Sequence, residues 1–323
     1  MRLRPIAALS AAAVSVLLLA GCAGSGDAES SPSPSGSSGA ADACLIAASP
    51  GSDSDAVTVD EAGDTLSATV PSDLAFEQVE RTVVTPGDGA DLGVGDLVSA
   101  QYQVYDGASG ELINDSTTTS ASEDGRVPVL IDQTQLTMWV GAIECNPLGS
   151  TVVMTVPGSA LGTEGSNYVV VARTFEELPT TATGQSVAPV EGMPEVALAD
   201  DGEPTITVPD TAAPADLQIE VLKKGDGPTV AEGDQVTVQY KGVAWDTKEE
   251  FDSSWKRGAP AAFTTTGVYE GFGKAMVGQT VGSQVLVVMP PSMGDLNGAL
   301  KGKTLVFVID ILGTQHAPTA ATQ

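Results

Sequence analysis

Gln235-Val236-Thr237-Val238-Gln239-Tyr240 alternates polar and apolar residues, so Val236, Val238 and Tyr240 fall on one face of an extended strand. Working outward, Ser283 to Met289 is almost wholly apolar, the composition of a central strand covered on both sides. In Thr304 to Ile311 the alternation returns, with Leu305, Phe307, Ile309 and Ile311 sharing a face. Between these strands, Gly271-Phe272-Gly273-Lys274-Ala275-Met276-Val277-Gly278 reads as a short helix. Phe272 and Met276 are spaced i, i+4, and Gly278 suits the left-handed position that ends a helix. Its glycines weaken it, so packing on a sheet must hold it. The fold class is α+β: a curved antiparallel sheet wrapped on one short helix.

The same pattern occurs earlier in the chain. Val57-Thr58-Val59, Gly63-Asp64-Thr65 and Ala68-Thr69-Val70-Pro71 answer to Val196-Ala197-Leu198, Gly202-Glu203-Pro204-Thr205 and Ile206-Thr207-Val208-Pro209. Gly87-Asp88-Gly89 and Gly95-Asp96 answer to Gly225-Asp226-Gly227 and Gly233-Asp234, and Tyr102 to Tyr240 at the same offset. Gly149 to Met154 mirrors Gly282 to Val287. One β-rich unit is therefore repeated, residues 44–178 and 194–313, with a Thr-, Pro- and Gly-rich linker at 179–193 and a tail at 314–323.

Lys224-Gly225-Asp226-Gly227, Val236 to Gly242, Phe251-Asp252-Ser253-Ser254, Gly271-Phe272, Val277-Gly278-Gln279 and Leu305-Val306-Phe307 occur in one order over Leu217 to Gly313. In that order they resemble FKBP-type peptidyl-prolyl cis-trans isomerases. The resemblance implies two tandem FKBP-like domains and places Tyr240, Phe251, Asp252 and Phe307 in a catalytic pocket completed by Val268, Tyr269, Phe272 and Arg257. Phe272 would be the floor, where the family commonly has tryptophan. Asp252 would orient the Tyr240 hydroxyl and pair with Arg257, and the backbone N–H of Tyr269 would donate to substrate. Taken singly, the residues have plainer readings. By spacing alone Phe272 and Phe307 are core, Tyr240 ends a strand, and Asp252-Ser253-Ser254 is a turn.

The chemistry suits such a lining. Rotation about a prolyl C–N bond meets a barrier of about 18–20 kcal/mol because resonance stiffens the amide. Twisting removes that resonance, so an apolar, water-poor pocket with one or two donors favours the twisted state without nucleophile, metal or cofactor. No cofactor or metal is expected. Two departures from the family imply a shallower, wetter pocket and reduced activity: Asp295 stands about where the family has a tyrosine, and Ala261 where it has a further aromatic.

In the first repeat Tyr102 is kept and Trp139 falls at the position of Phe272. Ile113-Asn114-Asp115-Ser116 replaces Phe251 to Ser254, and Val170 replaces Phe307. A degenerate domain is expected, with a binding or structural role.

The chain opens with Arg2 and Arg4 followed by an apolar run, Ile6 to Leu19, too short to span a bilayer. It ends in Leu19-Ala20-Gly21-Cys22, which resembles the lipobox of bacterial lipoproteins. The resemblance implies a signal peptide, 1–21, a lipid on Cys22 and an extracytoplasmic protein anchored to the bacterial cell membrane; the alternative is a plain signal peptide with an incidental cysteine. Residues 22–43, rich in Ser, Gly, Pro and Ala, read as a disordered tether. The 323-residue chain has 14 Lys+Arg against 42 Asp+Glu, net −28, which excludes nucleic acid as a partner. Expected partners are proline-containing segments of exported proteins, and a monomer is expected. With Cys22 assigned to lipid, Cys44 and Cys145 form an even pair in an oxidising compartment. A disulfide is the expectation, two unpaired thiols the alternative. His316, the only histidine, lies in the tail, and Asp200-Asp201-Gly202-Glu203 reads as a hairpin turn rather than a calcium loop. Two functions compete: an extracytoplasmic prolyl isomerase, and a non-catalytic lipid-anchored module that binds peptides or proteins.

Overall fold

A computed structural model describes residues 44–63, 66–162 and 165–317. The expected signal peptide, lipid-bearing Cys22 and tether lie outside the described residues.

Two antiparallel sheets follow one another. The first has the spatial order Glu80–Thr85, Thr151–Val156, Tyr168–Glu177, Leu97–Asp106, Leu112–Asp115, with Val127–Leu130 also paired to Leu97–Asp106. The second repeats that order with Gln218–Lys224, Gln284–Met289, Leu305–Gln315, Gln235–Ala244 and Glu250–Ser253, and Ala261–Thr264 paired to Gln235–Ala244. Even the irregularities recur: register shifts at Val83/Thr85, Ser99/Ala100 and Val104/Tyr105 have counterparts at Val221/Lys223, Thr237/Val238 and Gly242/Val243. Bulges bend and twist a sheet, so the shared curvature is written at shared positions.

Each sheet is covered on both faces. On one face of the second, Val236, Val238, Tyr240, Leu305, Phe307, Ile309 and Ile311 meet Phe272 and Met276 of the helix Glu270–Met276. On the other, Leu286, Val288, Val306 and Val308 meet Val196, Ile206 and Val208, which belong to the Glu195–Leu198/Pro204–Thr207 hairpin and its exit. This double cover is why Gln284–Met289 is buried along its whole length. The helix survives its glycines by packing. Gly271 and Gly273 cost about 1 kcal/mol each, whereas burying Phe272 and Met276 returns roughly 1.5–3 kcal/mol apiece. Gly271 is also required sterically, since a Cβ there would lie 2.4 Å from Met289 Cγ.

Several features depart from the sequence reading. Each repeat gains a single-turn helix, Ser52–Asp55 and Ser254–Arg257, besides the expected Met138–Ile143 and Glu270–Met276. Ser253 caps the second of these by accepting from Lys256 N–H, and Gly258, at φ 81°, ends it. The 179–193 segment is not a free linker. The buried Asp310 accepts a hydrogen bond from Ala182 N–H at 2.8 Å, Lys223 Nζ donates to Ala182 O at 3.0 Å, and Gln185–Ser186 adds an edge strand to Gln218–Lys224. A buried carboxyl must be satisfied, and here Gln284 Nε2 donates to one oxygen at 2.7 Å and backbone of the connecting segment to the other.

The tail also begins later than 314, because the last strand runs to Gln315. Its end joins the two lobes: Gln315 Nε2 donates to Pro128 O at 2.5 Å and His316 N–H to Thr119 O at 2.7 Å. Leu312 packs there with Leu97, Leu130 and Leu178. His316 is thus held at the junction, its Nδ1 2.9 Å from Asp234 Oδ1. Cys44 and Cys145 are joined as a disulfide with Cα atoms 5.9 Å apart. Asp200 to Glu203 forms the hairpin turn, with Gly202 at φ 83° and Ala199 N–H donating to Glu203 O at 3.0 Å.

Candidate active site

Strand alternation carries Tyr240 to the concave face of the second sheet, and the next position on that face is Gly242. The absence of a side chain at Gly242 is what admits two rings: a Cβ there would lie 2.6 Å from Phe251 Cζ and 2.7 Å from Phe307 Cε1. Phe307 arrives on the neighbouring strand opposite Gly242, and Phe251 on the edge strand beyond. Phe272 rises from the helix between them. The rings meet edge to face, with centroid separations of 5.6 Å for Tyr240–Phe272, 5.1 Å for Phe272–Phe307 and 5.3 Å for Phe251–Phe307. This is the favoured arrangement of aromatic quadrupoles.

Together with Asp252, Phe263, Gly267, Val268, Tyr269 and Leu300, these four enclose one hollow of about 590 Å³. Seven of the eight residues singled out from sequence therefore converge on it. The eighth, Arg257, stands behind the wall, where its Nη2 donates to the Tyr240 hydroxyl at 2.7 Å and its other nitrogen pairs with Asp252. The Tyr240 hydroxyl in turn donates to Asp252 Oδ2 at 2.6 Å. Desolvation first, and the hydrogen bond to Asp252 second, push the Tyr240 phenol up to about 12, so its proton stays in place as a donor. Ser254, fully buried, accepts from Tyr240 N–H at 2.7 Å and bonds Gln239 through the same hydroxyl. Asp252-Ser253-Ser254 is thus not a turn but the end of the edge strand running into a helix: Ser253 caps, Ser254 fixes the tyrosine's strand, and Asp252 faces the hollow. At the opposite rim Tyr269 caps the Glu270–Met276 helix, and among the described residues no acceptor takes its backbone N–H.

Three lining residues were missed as such, Phe263, Gly267 and Leu300. Phe263 stands two residues after Ala261. It lies 5.7 Å from Tyr240, centroid to centroid, and partly restores the missing ring. Leu300 depends on Asp295, which does not line the hollow. Asp295 accepts from Asn297 N–H at 3.1 Å, from Gly298 N–H and from Leu300 N–H at 2.8 Å, folding its loop so that Leu300 reaches the wall. No periodicity announces such a turn.

The first lobe lacks this arrangement. Trp139 lies flat on Tyr102, centroids 4.3 Å apart and planes 5° from parallel. Val104, buried, occupies the position of Gly242, and Asn114 that of Asp252. Burial pushes the Tyr102 phenol up, and its side-chain partner is Thr119 instead of an arginine.

Residues 227–312 match the family model described as FKBP-type peptidyl-prolyl cis-trans isomerase. The chain is 37% identical over 114 residues to the "Probable FK506-binding protein" of Corynebacterium glutamicum, covering 34% of this chain and 97% of that protein. It is 36% identical over 118 residues to the FK506-binding protein of Streptomyces anulatus, covering 34% of this chain and 95% of that one. To the FKBP-type isomerase FkpA of Escherichia coli it is 33% identical over 108 residues, 32% of this chain and 40% of FkpA.

Proposed function

Given that the chain belongs to the FKBP-type peptidyl-prolyl cis-trans isomerase family, we propose that its second lobe isomerises proline-containing segments of exported proteins within the aromatic hollow. The observation that carries this reading is the gathering of Tyr240, Phe251, Phe272 and Phe307 round one space with a single polar wall. A proline ring on the Phe272 floor sheds water. The twisted amide, having lost its charge-separated resonance form, is favoured there over the planar one. The Tyr269 N–H is the donor for a flanking carbonyl, while the Tyr240 hydroxyl, donating to Asp252 and accepting from Arg257, is held in its rotamer as part of the wall. The first lobe, with Trp139 closed onto Tyr102, serves as a degenerate FKBP-like binding or structural module. A lipid on Cys22 would keep the monomeric chain on the outer side of the cell membrane.

A stopped-flow assay of a proline tetrapeptide, with the chain from Asp27 onward, tests the reading. The unmodified chain should accelerate isomerisation. Phe251→Ala removes a half-exposed ring that supports Phe307, and should lower kcat/KM about tenfold with little change in melting temperature. If the unmodified chain gives only the spontaneous rate, the non-catalytic binding function stands in its place.

The pH profile is a separate check. A phenol raised from 10.0 to about 12 lends its contribution in full below pH 10 and loses it as pH rises towards 12. Since the residues lining the hollow include no histidine, the rate constant should be flat from about pH 6 to about pH 9. A bell-shaped profile centred near neutrality would contradict a wall in which Tyr240 stays protonated and bonded to Asp252.

A further inference from the structure

A second hollow, of about 540 Å³, opens between the two lobes and shares Tyr240 and Phe263 with the aromatic pocket. One wall is the Ala259-Pro260-Ala261-Ala262 run with Arg257; the other is Val94 and the turn Ile131 to Gln135 of the first lobe. The alanines are what leave it open. Ala261, where the family's further aromatic is missing, faces this space, so the departure that thins the prolyl pocket widens the cleft beside it. The first-lobe wall is fixed in place: Gln135 Nε2 donates to Ala262 O at 3.3 Å, and Gln315 ties Pro128 to the second lobe.

We infer that this cleft takes the stretch of substrate chain flanking the proline, so that the first lobe supplies part of the substrate site and the preferred substrate is an extended segment of an unfolded polypeptide. The inference rests on the prolyl reading of the adjoining pocket. Continuity through Tyr240 and Phe263 names the occupant, since a chain leaving that pocket on this side enters the cleft directly. An extended chain advances about 3.3–3.6 Å per residue, so its neighbours reach the first-lobe wall within a few residues. The lining also suits a peptide. Asp132 is occupied by Thr134, whose N–H and hydroxyl it accepts at 2.7 and 2.8 Å. Gln133 is exposed and makes no hydrogen bond among the described residues, leaving its amide to pair with passing backbone. Val94, 46% exposed, offers an apolar contact beside it.

Two first-lobe variants test this in the full chain: Val94→Ala combined with Gln133→Ala, which strips the wall, and Gln133→Trp, which plugs the cleft. Both positions are exposed, and unchanged melting curves will certify the fold. Two quantities are measured, kcat/KM on a proline tetrapeptide and the affinity for a fluorescently labelled, unstructured proline-containing polypeptide. Tetrapeptide turnover should stay within about twofold, while polypeptide affinity should weaken about three- to tenfold in each variant. Unchanged affinity in both variants overturns the inference, as does an equal fall in tetrapeptide turnover, which would place these residues in support of the pocket itself. Failure of the prolyl reading shows differently: the unmodified chain would lack turnover, whereas its affinity for the polypeptide would still respond to Gln133→Trp.

Discussion

Gly242→Val should abolish most isomerase activity, on the order of a hundredfold in kcat/KM, while costing only about 1–3 kcal/mol of stability. The reason is spatial. The Cβ of any side chain at 242 would sit within 2.9 Å of three ring atoms, two on Phe251 and one on Phe307. Both rings must move, and both line the pocket. Phe307 is 3% exposed and wedged against Phe272, so it has nowhere to go except into the hollow or into the core. Phe251 is only half-buried and can swing outward, which limits the loss of stability but opens the pocket to water. Backbone pairing to Leu305–Gln315 need not change, since valine is at home in a strand. The tetrapeptide assay and a thermal unfolding curve measure the two effects separately. Activity within about twofold of the unmodified chain would show that ring placement at this spot does not govern catalysis. The first lobe already carries valine at the matching position, Val104.

That comparison shows what the sequence made legible. The strands announced themselves because alternation is a direct image of burial: Val236, Val238, Tyr240 and Leu305, Phe307, Ile309, Ile311 share one core. Tyr240, Asp252 and Arg257 could be grouped through the family's order, and they are hydrogen-bonded to one another. The Gly242 and Val104 contrast lay open in the duplication, yet a missing side chain attracts less notice than a present one. The connecting segment misled because Thr, Pro and Gly describe local flexibility and say nothing of an acceptor elsewhere. The clue was Asp310, a lone carboxylate in the apolar run Val308 to Ile311, which had to be answered by some donor. Leu300 had no such clue, because its position depends on three backbone N–H groups converging on Asp295.

Removing the disulfide should have the largest effect on stability, and should confine it to the first lobe. Cys44 and Cys145 close a loop of 101 residues of separation, for which chain entropy gives about 4–5 kcal/mol. The bond anchors a segment that the buried Glu144 also holds, accepting from Leu45 N–H at 2.7 Å and Ile46 N–H at 2.6 Å and pairing with Arg81 at 3.6 Å, while Arg81 N–H donates to Ser49 O at 3.0 Å. Cys145 also stands in the left-handed region, φ 56°, after the Met138–Ile143 helix, whereas Gly278 fills that role at φ 83° after the Glu270–Met276 helix. A non-glycine residue there costs roughly 1–2 kcal/mol, so the first lobe carries local strain that its crosslink offsets. Cys44→Ser with Cys145→Ser should therefore lower the first lobe's melting transition markedly while tetrapeptide turnover by the second lobe persists at low temperature. Cys145→Gly, by contrast, should recover part of the loss by relieving the backbone. Thiol titration and melting with and without reductant decide the matter: two free thiols in the native chain, together with a melting curve indifferent to reductant, would remove the crosslink from any account of how this lobe is held.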